Sequence, residues 1–166
     1  MILVPKFKNM IEVQGALSIV VTDSLTNKIK QEIYIPNLVV STGKTFIASR
    51  MVGTSANIMS HMGIGTNSTT ELVGDTGLGA ELTVAGGYTG YARAALSIAT
   101  SASNVVTYSA NFAANNPSAP SGGAVLREAG IFNASTAGTM LCRTTFPTVT
   151  KLPADALTIT WTITIQ

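Results

Sequence analysis

The carboxyl-terminal run ALTITWTITIQ constrains the fold more than any other part of the chain. Leu157, Ile159, Trp161, Ile163 and Ile165 alternate with Thr158, Thr160, Thr162 and Thr164. A period of two marks a strand with one buried and one polar face. Burying five large apolar side chains contributes roughly 1.5 to 3 kcal/mol each, so loss of this strand is expected to unfold the domain.

The same pattern recurs upstream. Glu12 to Thr22 alternates through Val13, Leu17, Ile19 and Val21, DSLTNK supplies turn chemistry, and Ile29 to Ile35 reads as the returning strand of a hairpin. Tyr91 to Ala99 and Val105 to Phe112 form a second expected pair, with Tyr108 and Phe112 on one face and Thr107, Ser109 and Asn111 on the other. Beyond the loop NNPSAPSGG come Ala124 to Phe132 and Thr139 to Phe146, separated by NASTAG. About seven short strands predict an all-β fold, an antiparallel β-sandwich of jelly-roll-like type or a closed barrel. One short helix interrupts them. Ser41 is positioned to cap STGKTFIASRMV, in which Phe46, Ile47, Met51 and Val52 give a rough apolar face and Gly53 a stop, and this helix is expected to plug one end of the sandwich.

A chain of 166 residues supports one domain with a proper core. Residues 1–10 read as an extended arm and 11–166 as the single sandwich domain. Only 11% of residues are charged and 46% are apolar, so hydroxyls and small side chains must carry the surface. That composition suits a subunit with much of its surface in contacts better than a free enzyme. The net charge of +2 comes from scattered basic residues, which argues against nucleic acid as a partner. The apolar runs are far shorter than a membrane span and MILVPKFKNM lacks a signal-peptide core, so neither a membrane partner nor export is expected. With one cysteine, Cys142, and one histidine, His61, neither an internal disulfide nor a Cys/His zinc site can form.

Several motifs fail their chemical tests. Gly43, Lys44 and Thr45 resemble the end of a phosphate-binding loop, but Leu38 stands where its first glycine is required. In MSHMGIGTNSTTELVGDTGLGAEL, Gly63 and Gly65 are followed by Ser68 where a dinucleotide fingerprint needs glycine. These glycines, with Gly74, Gly77 and Gly79, are expected to supply positive φ or close backbone approach in a wrapped loop. Glu71, Asp75 and Glu81 lack the spacing of a calcium loop. His61 reads as a hydrogen-bonded structural residue, and Cys142 as a packed side chain on the face of Met140, Thr144 and Phe146. Arg127 and Glu128 fall on opposite faces of a strand. No catalytic residue, metal ligand or cofactor is expected, and the chain is not read as an enzyme.

The succession NLVVSTGKTFIASRM, then MSHMGIGTNSTTELVGDTGLGAEL, then LREAGIFNASTAGTMLCRTTFPTVTKLPADALTITWTITI resembles a group of small structural proteins of tailed-bacteriophage virions, over most of the chain from Asn37 onward. The middle segment is also similar to the amino-terminal region of some phage tail-fibre proteins. The resemblance implies a non-catalytic subunit located in the virion and partnered by the major capsid protein or other virion proteins: a capsid decoration (cement) protein, for which lattice symmetry favours a homo-oligomer such as a dimer or trimer, or, alternatively, a tail, neck or fibre-attachment component. A stand-alone carbohydrate-binding module is the third alternative. The expected contact residues are Ile2, Leu3 and Val4 in the arm and Tyr88 and Tyr91 in GGYTGYAR, one or both of which would otherwise cap the sandwich edge. The loop from Ser60 to Leu82, long for a connection, is expected to carry contacts as well.

Overall fold

A computed structural model of the chain describes residues 11–54, 57–102, 104–119 and 122–166. Two five-stranded antiparallel sheets face each other across one main core. The first has the order β2-β1-β10-β7-β6, from β1 (Val13–Asp23), β2 (Ile29–Pro36), β6 (Ser97–Ala102), β7 (Val105–Phe112) and β10 (Asp155–Ile165). The second has the order β3-β9-β8-β4-β5, from β3 (Leu38–Val39), β4 (His61–Gly65), β5 (Ala94–Ala95), β8 (Ala124–Phe132) and β9 (Met140–Lys151). The all-β sandwich with one short helix is therefore the observed architecture.

The threonine-alternating β10 occupies the centre of the first sheet, paired along its whole length with β1 and over eight residues with β7. Leu157, Ile159, Trp161 and Ile163 are buried, while Thr158, Thr160, Thr162 and Thr164 stay partly accessible on the outer face. Register carries the alternation into the neighbours: Leu17 and Tyr108 lie opposite Trp161, and Phe112 lies opposite Leu157.

The second sheet is more irregular than its sequence suggests. Ten strands are described against the seven expected, because β3 and β5 are only two residues long and β4 lies inside the glycine-rich stretch. The strand expected over Tyr91 to Ala99 is broken into β5 and β6, which pair in different sheets. A bulge at Leu141 shifts the register so that Ile131 faces Cys142 but Phe132 faces Met140. Cys142 consequently joins the main core, whereas Met140 packs with Val40, Phe132 and Leu78 on the sheet's other face. The expected common face for Cys142 and Met140 is thus corrected, since one extra residue reverses the alternation.

Helix α1 spans Ser41–Met51. Val40, not Ser41, is the N-cap, without a side-chain cap bond; the Ser41 N–H is satisfied by the Val73 carbonyl at 2.7 Å. Gly43 is the helix's one fully buried residue, and a Cβ there would lie 1.9 Å from the Leu141 carbonyl oxygen. The glycine of GKT is therefore a contact point between helix and β9 backbones. Phe46 and Ile47 pack on the core, but Met51 and Val52 are exposed, so the expected apolar face is only half used. Gly53 ends the helix with φ of +71°, as expected of a C-terminal stop.

Candidate interaction surface

The two sheets differ sharply in what covers their outer faces. On the second sheet, Gly63 lies opposite Gly130, and Gly65 opposite Glu128. Added Cβ atoms would sit 3.2 Å from Leu78 Cδ1 at Gly63, 3.1 Å from Leu78 Cδ2 at Gly130 and 2.5 Å from the Ala80 carbonyl at Gly65. Three glycines thus form a trough into which residues 66–82 fold back. Close approach is their use here; positive φ is confined to other glycines among those described, so that part of the expectation is corrected.

Buried charge fastens this loop. Glu128 is fully buried and accepts from Ala80 N at 2.7 Å, Gly79 N at 3.0 Å, Asn67 N at 3.4 Å and Arg143 Nε at 2.9 Å. Arg143 then donates through Nη1 to Asp75 at 2.7 Å and through Nη2 to the Thr69 carbonyl at 3.1 Å. Glu71 accepts from the hydroxyl and the N–H of Thr145. Burial pushes the Asp75 carboxyl up, but the Leu72 N–H and the Arg143 guanidinium outweigh it and hold it below the usual carboxylate range. The loop expected to contact a partner is packed on its own sheet, with Leu72 and Val73 exposed.

A second clamp closes the same side. Arg93 stacks over the Phe132 ring at 3.4 Å from its centroid and meets Glu81 in a bidentate pair of 2.7 Å contacts, while its Nη1 donates to the Ala134 and Ala137 carbonyls. Tyr91 donates to Glu81 at 3.0 Å and its oxygen accepts from Ile64 N at 3.2 Å. Burial drives the Tyr91 hydroxyl well above its ordinary pKa. Tyr88 and Tyr91 are both half-buried and packed against the main core. Ile2, Leu3 and Val4 lie outside the described residues.

Among the described residues, no loop or ion-pair network of this kind covers the outer face of the first sheet. Register places Tyr34, Ser18, Thr160, Ser109 and Ser97 in one row across all five strands, and Pro36, Ala16, Thr162, Thr107 and Ala99 in the next. A third row runs Glu32, Val20, Thr158 and Asn111. Cross-strand contacts such as Ser109 to Thr160 at 3.3 Å and Asn111 Nδ2 to Thr158 at 3.1 Å hold the hydroxyls in place. Along these rows the central strands β1, β10 and β7 carry no ionisable side chain. On this face Glu32 lies on the edge strand β2, while five of the eight acidic residues, Asp23, Asp75, Glu81, Glu128 and Asp155, are taken up in ion pairs.

Cys142 is fully buried and burial pushes its thiol well up, which removes the thiolate that a nucleophile needs. His61 is bound through Nδ1 to Ser60 Oγ at 2.8 Å, and no His/Cys/Asp/Glu group suited to a metal occurs among the described residues. Arg127 reaches the exposed Thr148 and Glu128 pairs with Arg143, so the two do not pair with each other; the register shifts between Leu126 and Glu128, so simple alternation does not hold across them. Among the described residues no helix is long and apolar enough to cross a membrane.

Sequence reasoning passed over the Glu128–Arg143–Asp75 and Glu81–Arg93 networks. Their signal was present only as charges inside otherwise apolar strand segments, LREAGIF and MLCRTTF. No family model, curated protein or solved structure matches this chain.

Proposed function

We propose that this chain is a structural subunit of a bacteriophage virion, a decoration (cement) protein that docks on the head shell by non-catalytic contacts. The observation that carries the proposal is the open outer face of the first sheet: five strands wide, hydroxyl-bearing and without ionisable groups on its three central strands. Such a face can approach a neighbour closely without stranding a charge, and its hydroxyls can donate or accept as the partner requires. A modest affinity at each site is multiplied by the many identical sites of a lattice, and binding only the mature shell would stabilise that state by mass action.

The resemblance of residues 59–82 to the start of some tail-fibre proteins supports a second reading, a tail, neck or fibre-attachment component. That segment is folded onto its own sheet here, which favours the head. The inward packing of Tyr88 and Tyr91 weighs against a carbohydrate module built on those rings. Co-sedimentation with DNA-filled heads, and separately with isolated tails, tests the assignment. Saturable binding to heads at a lattice-like ratio supports it; binding to tails alone moves the protein to the tail, and binding to neither removes the virion reading.

A further inference from the structure

Residues 81–84, residues 91–93 and the connection between β8 and β9 surround a cavity of about 530 Å³. Glu81, Leu82, Val84, Tyr91, Arg93 and Thr136 are among its lining. The volume falls within the range of roughly 300 to 1,000 Å³ typical of small-molecule sites, which combine apolar walls with a few fixed polar groups.

The polar groups of this cavity are fixed before anything enters it. The Arg93 side chain is only 9% exposed, held by its bidentate pair with Glu81 and by the Phe132 ring against which it stacks. Its Nη1 donates to the Ala134 and Ala137 carbonyls at 3.2 and 2.6 Å. Ala137 sits at φ of +51°, a left-handed conformation costly for any residue but glycine, so the carbonyl that meets the guanidinium belongs to a strained turn. A guanidinium carries five N–H donors. Four are used within the chain, and among the described residues the second N–H of Nη2 has no acceptor. Glu81, 24% exposed, uses Oε1 twice, for Arg93 Nε and the Tyr91 hydroxyl, and Oε2 once, for Arg93 Nη2. A spare donor and a spare acceptor therefore stand side by side, on atoms 2.7 Å apart.

The chemistry of a matching ligand follows from this pair. The charges of Glu81 and Arg93 cancel, and Tyr91 stays a neutral donor, so an ionic ligand would strand its own charge in the cavity. An adjacent donor and acceptor suit two neighbouring hydroxyls, one accepting and one donating. Leu82 and the exposed Val84 add apolar wall, and Thr136 a further hydroxyl. A sugar ring has this composition, with hydroxyls around its rim and C–H groups across its faces.

We propose that this cavity binds a neutral sugar through two adjacent hydroxyls, one accepting from Arg93 Nη2 and one donating to Glu81 Oε2. The site stands apart from the virion assignment, and its platform is the ion pair, since Tyr88 and Tyr91 pack against the core.

The test is a titration of the full-length chain, free of any particle, followed by NMR of its amides and arginine side chains. Glucose, galactose and mannose are the probes, with glucuronate as the anionic counterpart. The expected result is saturable shifts with at least one neutral sugar, at a Kd below about 10 mM, centred on residues 81–84, 91–93 and 135–137 and including the Arg93 side chain. Val84→Asp, at an exposed position outside the clamp, should weaken that binding at least about ten-fold with the rest of the spectrum unchanged. No saturable shift with any of the three neutral sugars overturns the proposal. Shifts centred elsewhere, binding of glucuronate alone, or full affinity in a folded Val84→Asp variant overturn it as well. Sugar binding without co-sedimentation with heads or tails would remove the virion reading and leave this site standing.

Discussion

Arg143 Nε donates to Glu128 Oε2 at 2.9 Å between two side chains that are almost wholly removed from solvent. The pair sits between adjacent strands β8 and β9, and each partner then reaches a different part of the loop 66–82. The ion pair is thus a rivet through a loop and two strands. Its strength depends on completeness, because every contact to Glu128 offsets the cost of burying its charge.

Removing one partner is therefore more damaging than the distance alone suggests. Glu128→Ala leaves Arg143 and three loop N–H groups without their acceptor, and a loss of about 3 to 5 kcal/mol is expected for breaking a buried pair. Urea unfolding measures it. A loss below about 1 kcal/mol, in the range of exposed pairs, would mean that the loop is not fastened by this residue.

The glycines divide into two classes with opposite expected outcomes. Gly65→Ala forces a methyl to 2.5 Å from the Ala80 carbonyl and from Glu128, so it is expected to destabilise by about 1 to 3 kcal/mol as other overpacked sites do. Gly74 and Gly77 have open space around them and are not among the positive-φ residues. Alanine there is expected to be neutral or to stabilise by up to about 1 kcal/mol through the unfolded state. Thermal melts of the three single variants separate the classes.

The β1–β2 turn carries an acid-sensitive element. Asp23 accepts from the Thr26 N–H at 2.9 Å and the Leu25 N–H at 3.0 Å, with Lys30 at 3.3 Å. The Thr26 N–H and hydroxyl, then Lys30, lower its carboxyl from 3.8 to about 2. A carboxyl depressed on folding gives stability that is fully present above its unfolded value and is lost as pH falls through the folded one. The contribution should fade between 3.8 and about 2. Asp23→Asn removes that titration, so its difference in melting temperature from the parent should shrink over this window; a constant difference would show that Asp23 is not the group.

Docking through the first sheet is tested without disturbing the core. Thr162 lies on the outer face beside a shallow depression of about 150 Å³ lined also by Gln14, Ala16 and Thr164. Thr162→Lys should cost about 1 kcal/mol or less in stability. A lysine left without a counter-charge in that uncharged contact should weaken head binding by at least about ten-fold. Unchanged co-sedimentation with heads would place the docking face elsewhere on the molecule.

What the sequence determined by itself was everything set by local periodicity. The β1–β2 hairpin, β7, β8 and β10 lie close to where alternation places them, and Gly53 ends the helix, because a side chain's face in a strand follows from its parity alone. Composition counted few charges but could not tell that five of the eight acids are drawn into ion pairs.

Tertiary structure decided what parity cannot encode. His61–Gly65 carries three alternating small or polar positions around Met62 and Ile64 and reads as loop; it is a strand because β8 lies beside it and residues 66–82 cover its glycines. The bulge at Leu141 put Met140 and Cys142 on opposite faces through one unpaired residue, a register event visible only when two strands are laid together. Glu128, Arg143 and Asp75 are separated by 15 and 68 residues in sequence. Charges buried at that separation are tolerated only once the fold has brought opposite signs within hydrogen-bond distance, so the site that fixes the loop became legible only in three dimensions.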